Sequence, residues 1–171
     1  MIELLSIEKI QKRVKELAGE ISKDYNDRVP ILIGVLNGSF IFLSDLAREL
    51  TIDCEVDFIK VNSYDGKESS GTVHLLKDIS ADITNRHIIL VEDIVDSGLT
   101  MNFLIKRLEG SNPASVAVVT LLFKSEIAQL NLELNYVGFE IPSDFVVGYG
   151  LDVEQKMRNL KSIYRLEEND F

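Results

Sequence analysis

Three carboxylates stand within five residues in Glu92-Asp93-Ile94-Val95-Asp96, and Ser97-Gly98-Leu99-Thr100 follow at once. Like charges held this close repel one another, so the grouping works against stability. One reading is a solvated acidic turn. Asp96 or Ser97 then caps the next helix, and the acids sit near the positive end of its dipole. That accounts for Asp96 and Ser97, but not for the Glu92-Asp93 pair at the mouth of an apolar strand. The other reading uses every residue. Gly98 lets backbone approach a ligand closely, and the following helix N-terminus offers free N–H groups to a phosphate. Ser97 and Thr100 add hydroxyl donors, and the carboxylates accept hydrogen bonds from sugar hydroxyls. Together they describe a cradle for a phosphorylated ribose.

Such a cradle has to be carried by rigid elements. His87-Ile88-Ile89-Leu90-Val91 is a short continuous apolar run, the pattern of a strand buried on both faces of a parallel sheet. Pro30–Leu36 and Val116–Phe123 repeat that pattern. Helical spacing follows two of the three runs. Phe40, Leu43, Leu46, Ala47 and Leu50 share a face after the first, and Met101, Leu104, Ile105 and Leu108 after the second. Gly110 and Pro113 end that second helix. An opening helix, capped by Ser6, aligns Ile7, Ile10, Val14, Leu17, Ala18 and Ile21. An alternating strand runs through Cys54 to about Asn62, short strands follow near Tyr136–Phe139 and Phe145–Val147, and a looser segment reaches Phe171.

Strand, helix, strand, helix, strand predicts an α/β fold with a central, mostly parallel sheet flanked by helices. Ligands bind such sheets at the carboxyl ends of the strands, so the loops after Leu36, Val91 and Phe123 should share the ligand face. Residues 63–71 are polar, glycine-containing and without period, and read as a mobile loop.

Composition bounds the rest. The 171 residues suit a single domain spanning 1–171, and 46% are hydrophobic, enough for a sizeable core. With 28 acidic residues against 18 basic, the net charge of -10 argues against a broad nucleic-acid surface. One cysteine, Cys54, forms no internal disulfide and reads as a small hydrophobe on the inner face of its strand. No apolar run approaches the ~20 residues of a membrane helix, and Met1–Leu5 lacks the marks of a signal peptide, so a soluble, cytoplasmic protein is expected.

Val91–Thr100 resembles the phosphoribosyl pyrophosphate motif of the type I phosphoribosyltransferases. Val35-Leu36-Asn37-Gly38-Ser39 is similar to that family's pyrophosphate loop. Ser63-Tyr64 with Ser70-Gly71 is similar to its mobile catalytic loop. Leu121-Leu122-Phe123-Lys124 resembles the segment whose lysine reads a purine 6-oxo group. Tyr136–Pro142, Phe145–Asp152 and Arg158 narrow the resemblance to the hypoxanthine-guanine branch, in order along nearly the whole chain.

The resemblance implies the family's fold, with a small hood region beside the sheet. It implies transfer of the phosphoribosyl group to a purine with Mg²⁺ as cofactor, by a homodimer or homotetramer. Glu92 and Asp93 then meet the ribose hydroxyls, and Asp96, Ser97, Gly98, Leu99 and Thr100 hold the 5-phosphate. Asp96 also takes the proton from N7 of the base. Asn37, Gly38, Ser63, Tyr64 and Arg158 contact pyrophosphate. Lys124, Phe145, Val146 and Asp152 surround the purine, and Asp152, Glu92 and Asp93 are the metal-facing carboxylates. Taken singly, Phe145 reads as core, Lys124 and Arg158 as surface charges and Asp152 as a turn residue. Their order and spacing favour function. Asn37 stands where many relatives carry lysine, and Leu99 replaces a lysine found in some. The peptide corresponding to Leu36–Asn37 is often cis in the family.

Two other classes fit the sequence less well. A nucleic-acid-binding regulator on the same fold needs a basic face, which the net charge disfavours. A dinucleotide oxidoreductase needs G-x-G-x-x-G after a strand, and none occurs. Within transferases, xanthine or a pyrimidine is the alternative base.

Overall fold

A computed structural model describes residues 1–63, 73–131 and 133–167. Among them the order is β1 (Ile2–Leu5), α1 (Ile7–Asp24), β2 (Ile31–Leu36), α2 (Phe40–Glu49), β3 (Glu55–Ser63), β4 (Val73–Lys77), β5 (His87–Val95), α3 (Leu99–Glu109), β6 (Ser115–Phe123), β7 (Tyr136–Glu140), β8 (Val146–Val147) and β9 (Ile163–Arg165). The main sheet has the order β4-β3-β2-β5-β6-β7, and all its pairings are parallel except β3 with β4. A small antiparallel sheet, β1-β9-β8, forms the hood.

The apolar runs bury both faces of the main sheet. Leu32, Ile89, Val91, Val119 and Leu121 pack with α1 and α2 on one side. Ile31, Ile33, Ile88, Leu90 and Val118 pack with α3 on the other. Side chains alternate between faces along a strand, so each run supplies two cores at once and shows no polar-apolar alternation. From α1, the predicted stripe of Ile10, Val14, Leu17, Ala18 and Ile21 is fully covered, and Ser6 Oγ accepts from the backbone N–H of Lys9.

β2 leads through α2 to β3 on one side, while β5 leads through α3 to β6 on the other. The connections diverge between β2 and β5, and a crevice opens there at the strands' carboxyl ends. The strand ends that flank it are Leu36 and Val95.

Several expectations change. β5 continues through Glu92 and Asp93 to Val95, pairing with β6 as far as Phe123, so the two acids lie within a strand and not in a loop after Val91. Cys54 precedes β3 and is half-buried against the α1/α2 core. In α2, Phe40 is exposed and Phe42 takes the buried place beside Leu43 and Leu46. Burying a ring of that size contributes about 2 kcal/mol. The cap of α3 is Gly98, at φ 86°, and neither Asp96 nor Ser97. The tail predicted as loose contributes β9, which binds the first strand of the chain to the hood.

Candidate active site

A cleft of about 290 Å³ lies at the crevice. β2 delivers Asn37 and Gly38 to it, β5 delivers Asp93, Ile94 and Asp96, and the end of β6 delivers Lys124. The hood closes the other wall with Phe145, Val146, Leu151, Asp152 and Arg158. Nine of the residues singled out from sequence thus meet around one space, although they come from four stretches of chain.

The floor is built by close approach. The Leu36–Asn37 peptide is cis. A Cβ on Gly38 would stand 1.7 Å from Oδ2 of Asp93, so only glycine fits against that carboxylate. Gly150, at φ 103°, presses on the other side of the same turn, where a Cβ would lie 2.0 Å from the Gly38 carbonyl oxygen. Three segments far apart in sequence therefore meet at Gly38.

Glu92 and Asp93 are 6% and 7% exposed, which excludes the solvated acidic turn. Burial pushes the Glu92 carboxyl well above its ordinary range, and the neighbouring charge and hydrogen bond of Asp93 add to this. Asp93 is also raised by burial, against hydrogen bonds from Glu92 and the backbone and the nearby Arg158 charge. Oε2 of Glu92 is buried with no partner, a costly arrangement that a bound hydroxyl or cation would complete.

Lys124 is 6% exposed, and its Nζ donates to Oδ2 of Asp96 at 2.8 Å. Its backbone N–H donates to the Val95 carbonyl oxygen at 3.0 Å, so the lysine is fixed to the end of β5 at two points. Phe145 lines the cleft and is 48% exposed. Arg158 pairs with Asp152 at 2.8 Å and donates to the Gly150 carbonyl oxygen at 2.8 Å. The other oxygen of Asp152 accepts from the backbone N–H of Gln155 at 2.7 Å.

Ser97, Gly98, Leu99 and Thr100 adjoin the cleft at the start of α3 without lining it. Gly98 caps α3 without a side-chain bond, and the first N–H of the helix, from Leu99, donates to Oγ of Ser97 at 3.4 Å. Tyr64 and the side chain of Ser63 lie outside the described residues. Three residues that support the site were not singled out from sequence. Tyr149 and Gly150 sit inside the Phe145–Asp152 motif, and their signal was the flanking Gly148, itself at φ 97°. Gln129 donates its N–H to the Ser97 carbonyl oxygen at 2.9 Å and had no sequence signal at all. Among the described residues, no group of three or more His, Cys, Asp or Glu is gathered to hold a metal ion by itself. Among the described residues, no helix is long and apolar enough to cross a membrane.

Residues 2–154 match the phosphoribosyl transferase domain family. A hypoxanthine-guanine phosphoribosyltransferase of Mycobacterium tuberculosis is 44% identical, over 96% of this chain and 85% of that protein. A crystal structure of a hypoxanthine-guanine phosphoribosyltransferase from Bacillus anthracis, with HEPES in its active site, superposes with a TM-score of 0.93. It is 43% identical and covers 98% of this chain and 99% of that one. A Trypanosoma cruzi hypoxanthine phosphoribosyltransferase in complex with the product IMP superposes at 0.91. It is 38% identical, over 99% and 95% of the two chains. The fold is thus shared with solved hypoxanthine-guanine and hypoxanthine phosphoribosyltransferases. The chain belongs to the phosphoribosyltransferase family, in its hypoxanthine-guanine branch.

Proposed function

We propose that the cleft joins hypoxanthine or guanine to phosphoribosyl pyrophosphate, forming a bond from N9 of the purine to the ribose and releasing pyrophosphate. The products are IMP or GMP, and the reaction is purine salvage. The observation that carries this reading is the Lys124–Asp96 pair on the cleft wall, with the exposed ring of Phe145 lining the same space. A donor and an acceptor 2.8 Å apart suit the 6-oxo and N7–H edge of such a base, and the ring suits its face. The IMP-bound relative supports the same class of product.

In this reading Asp96 accepts the N7 proton as N9 attacks the sugar carbon. Lys124 donates to the 6-oxo group, Phe145 stacks on the base, and the backbone of Val146 reads its edge, with Asp152 toward the 2-position. Glu92 and Asp93 accept from the ribose hydroxyls, which would give the unpartnered Glu92 oxygen its hydrogen bond. Ser97, Gly98, Leu99 and Thr100 offer N–H and hydroxyl donors to the 5-phosphate. Arg158 and the Asn37-Gly38 backbone hold the pyrophosphate, joined by Ser63 and Tyr64.

The carboxylate donors Asp152, Glu92 and Asp93 fit Mg²⁺, a hard cation that favours oxygen. It keeps several waters and takes one or two carboxylates together with substrate phosphates, so no dedicated cage is needed. When bound, it neutralises charge developing on the leaving pyrophosphate. The reading takes 1–171 as one domain, assembled as a homodimer or homotetramer. It places the enzyme in the cytoplasm, consistent with its single, free thiol.

The test is an assay of the purified protein with hypoxanthine or guanine, phosphoribosyl pyrophosphate and Mg²⁺. The expected products are the nucleotide and stoichiometric pyrophosphate, with activity lost on chelation. Absence of nucleotide with either base overturns the reading.

A further inference from the structure

Tyr149 lies outside the cleft lining, yet it is 2% exposed and in the left-handed region, at φ 51°. Its hydroxyl donates to Oδ2 of Asp45, in α2, at 2.5 Å across 104 residues of sequence. A buried non-glycine residue at positive φ is uncommon, and needs surrounding contacts to hold it. Here the flanking Gly148 and Gly150 are also at positive φ, and the Tyr149 N–H donates to the Leu160 carbonyl oxygen at 2.8 Å.

The bond ties two parts of the site together. On one side, Asp45 belongs to the helix that follows Asn37-Gly38 directly. On the other, Tyr149 precedes Gly150, whose backbone presses on the Gly38 carbonyl and whose own carbonyl accepts from Arg158. The Gly150 N–H returns a bond to the Arg158 carbonyl oxygen at 2.9 Å. Any slack between Tyr149 and α2 therefore changes the spacing between the Arg158 guanidinium and the Asn37-Gly38 backbone.

We infer that Tyr149 is a positioning residue, and that its hydrogen bond to Asp45 sets the distance between the hood arginine and the turn after β2. The inference rests on the proposed reading, in which those two groups grip pyrophosphate from opposite sides. It gives the hood a specific duty: fixing the width of the pyrophosphate end of the cleft, independently of the purine end at Lys124. Burial, reinforced by the Asp45 bond, pushes the Tyr149 hydroxyl well above its ordinary range, so it remains a donor under all working conditions. Asp45 also pairs with Arg48 at the rim of a separate groove of about 470 Å³ between α1 and α2, and that pair supplies a control.

The experiment is steady-state kinetics on Tyr149→Phe, Asp45→Ala, Asp45→Asn and Arg48→Ala. Tyr149→Phe and Asp45→Ala should each raise KM for phosphoribosyl pyrophosphate about tenfold, the scale of one lost hydrogen bond to a charged group, with KM for hypoxanthine within about twofold of wild type. Asp45→Asn keeps an acceptor and should restore most of the affinity, and Arg48→Ala should match wild type. The inference is overturned if Tyr149→Phe leaves both constants unchanged or moves them in step. It is also overturned if Asp45→Asn is as impaired as Asp45→Ala. Wild-type protein that makes no nucleotide overturns the functional reading itself, an outcome separate from an active wild type with unresponsive variants.

Discussion

Lys124 and Asp96 form an ion pair of 2.8 Å whose two ends live in different surroundings: the lysine side chain is 7% exposed and the aspartate 51%. The exposed carboxylate can be solvated without its partner, whereas the buried ammonium cannot. The pair is thus asymmetric. Removing the acid should destabilise the fold more than removing the base, and either change alters the purine end of the cleft.

Asp96→Asn tests the proton acceptor. The amide keeps the shape and cannot take a proton, so kcat for hypoxanthine should fall by about 10²–10⁴. KM for phosphoribosyl pyrophosphate should change little, because Asp93 and the start of α3 are untouched. Near-normal turnover would remove Asp96 from the role.

Lys124 should exclude adenine. A 6-amino group presents a donor where the lysine also donates, leaving both unpaired in a buried place. The wild type should prefer hypoxanthine over adenine by at least about 10³ in kcat/KM, and Lys124→Met should narrow that ratio mainly by losing hypoxanthine. Competition assays with the two bases measure it, and efficient use of adenine by the wild type would contradict the assignment.

Gly38→Ala places a methyl group where Oδ2 of Asp93 now lies. The carboxylate or the turn must move, and the Gly150 contact blocks the turn from the other side. We expect kcat/KM for phosphoribosyl pyrophosphate to drop by at least about 10², the scale of a misplacement near 1 Å. A crystal structure of the variant should show the Asp93 side chain displaced. Full activity with the carboxylate unmoved would mean that the packing there is looser than described.

Outside the cleft, Asp57 carries a pH dependence of its own. Partial burial pushes its carboxyl up, but N–H bonds from Ala81, Phe58 and Ser80, with Lys77 nearby, outweigh this and hold it below its ordinary range. A depressed folded value contributes stability above the unfolded value near ~3.9, and that stability is lost as pH falls through the folded one. Asp57→Asn should therefore cost about 2 kcal/mol at neutral pH, since it weakens bonds to a charged acceptor. The gap to wild type should close as the pH falls through the depressed folded value. Urea titrations across that range measure it, and a gap independent of pH would show that packing, not charge, is at stake.

The sequence by itself determined the parallel strands and their helices. Runs such as Ile88–Val91 and the period of Ile10, Val14, Leu17 and Ile21 are local signals, fixed by side chains within a few residues of one another. It also marked the residues of the cleft, because each motif is contiguous in the chain. The tertiary structure decided what those motifs touch. Burial turned Glu92-Asp93 from a plausible acidic turn into a strand segment with an unpartnered oxygen. β1 and β9 pair although neither four nor three residues carry a period long enough to read. Gly38 against Asp93, Gly150 against Gly38 and Tyr149 against Asp45 all join positions more than 50 residues apart. Such contacts leave no mark in a local pattern, because close approach depends on where two chain segments meet in space, and only folding fixes that.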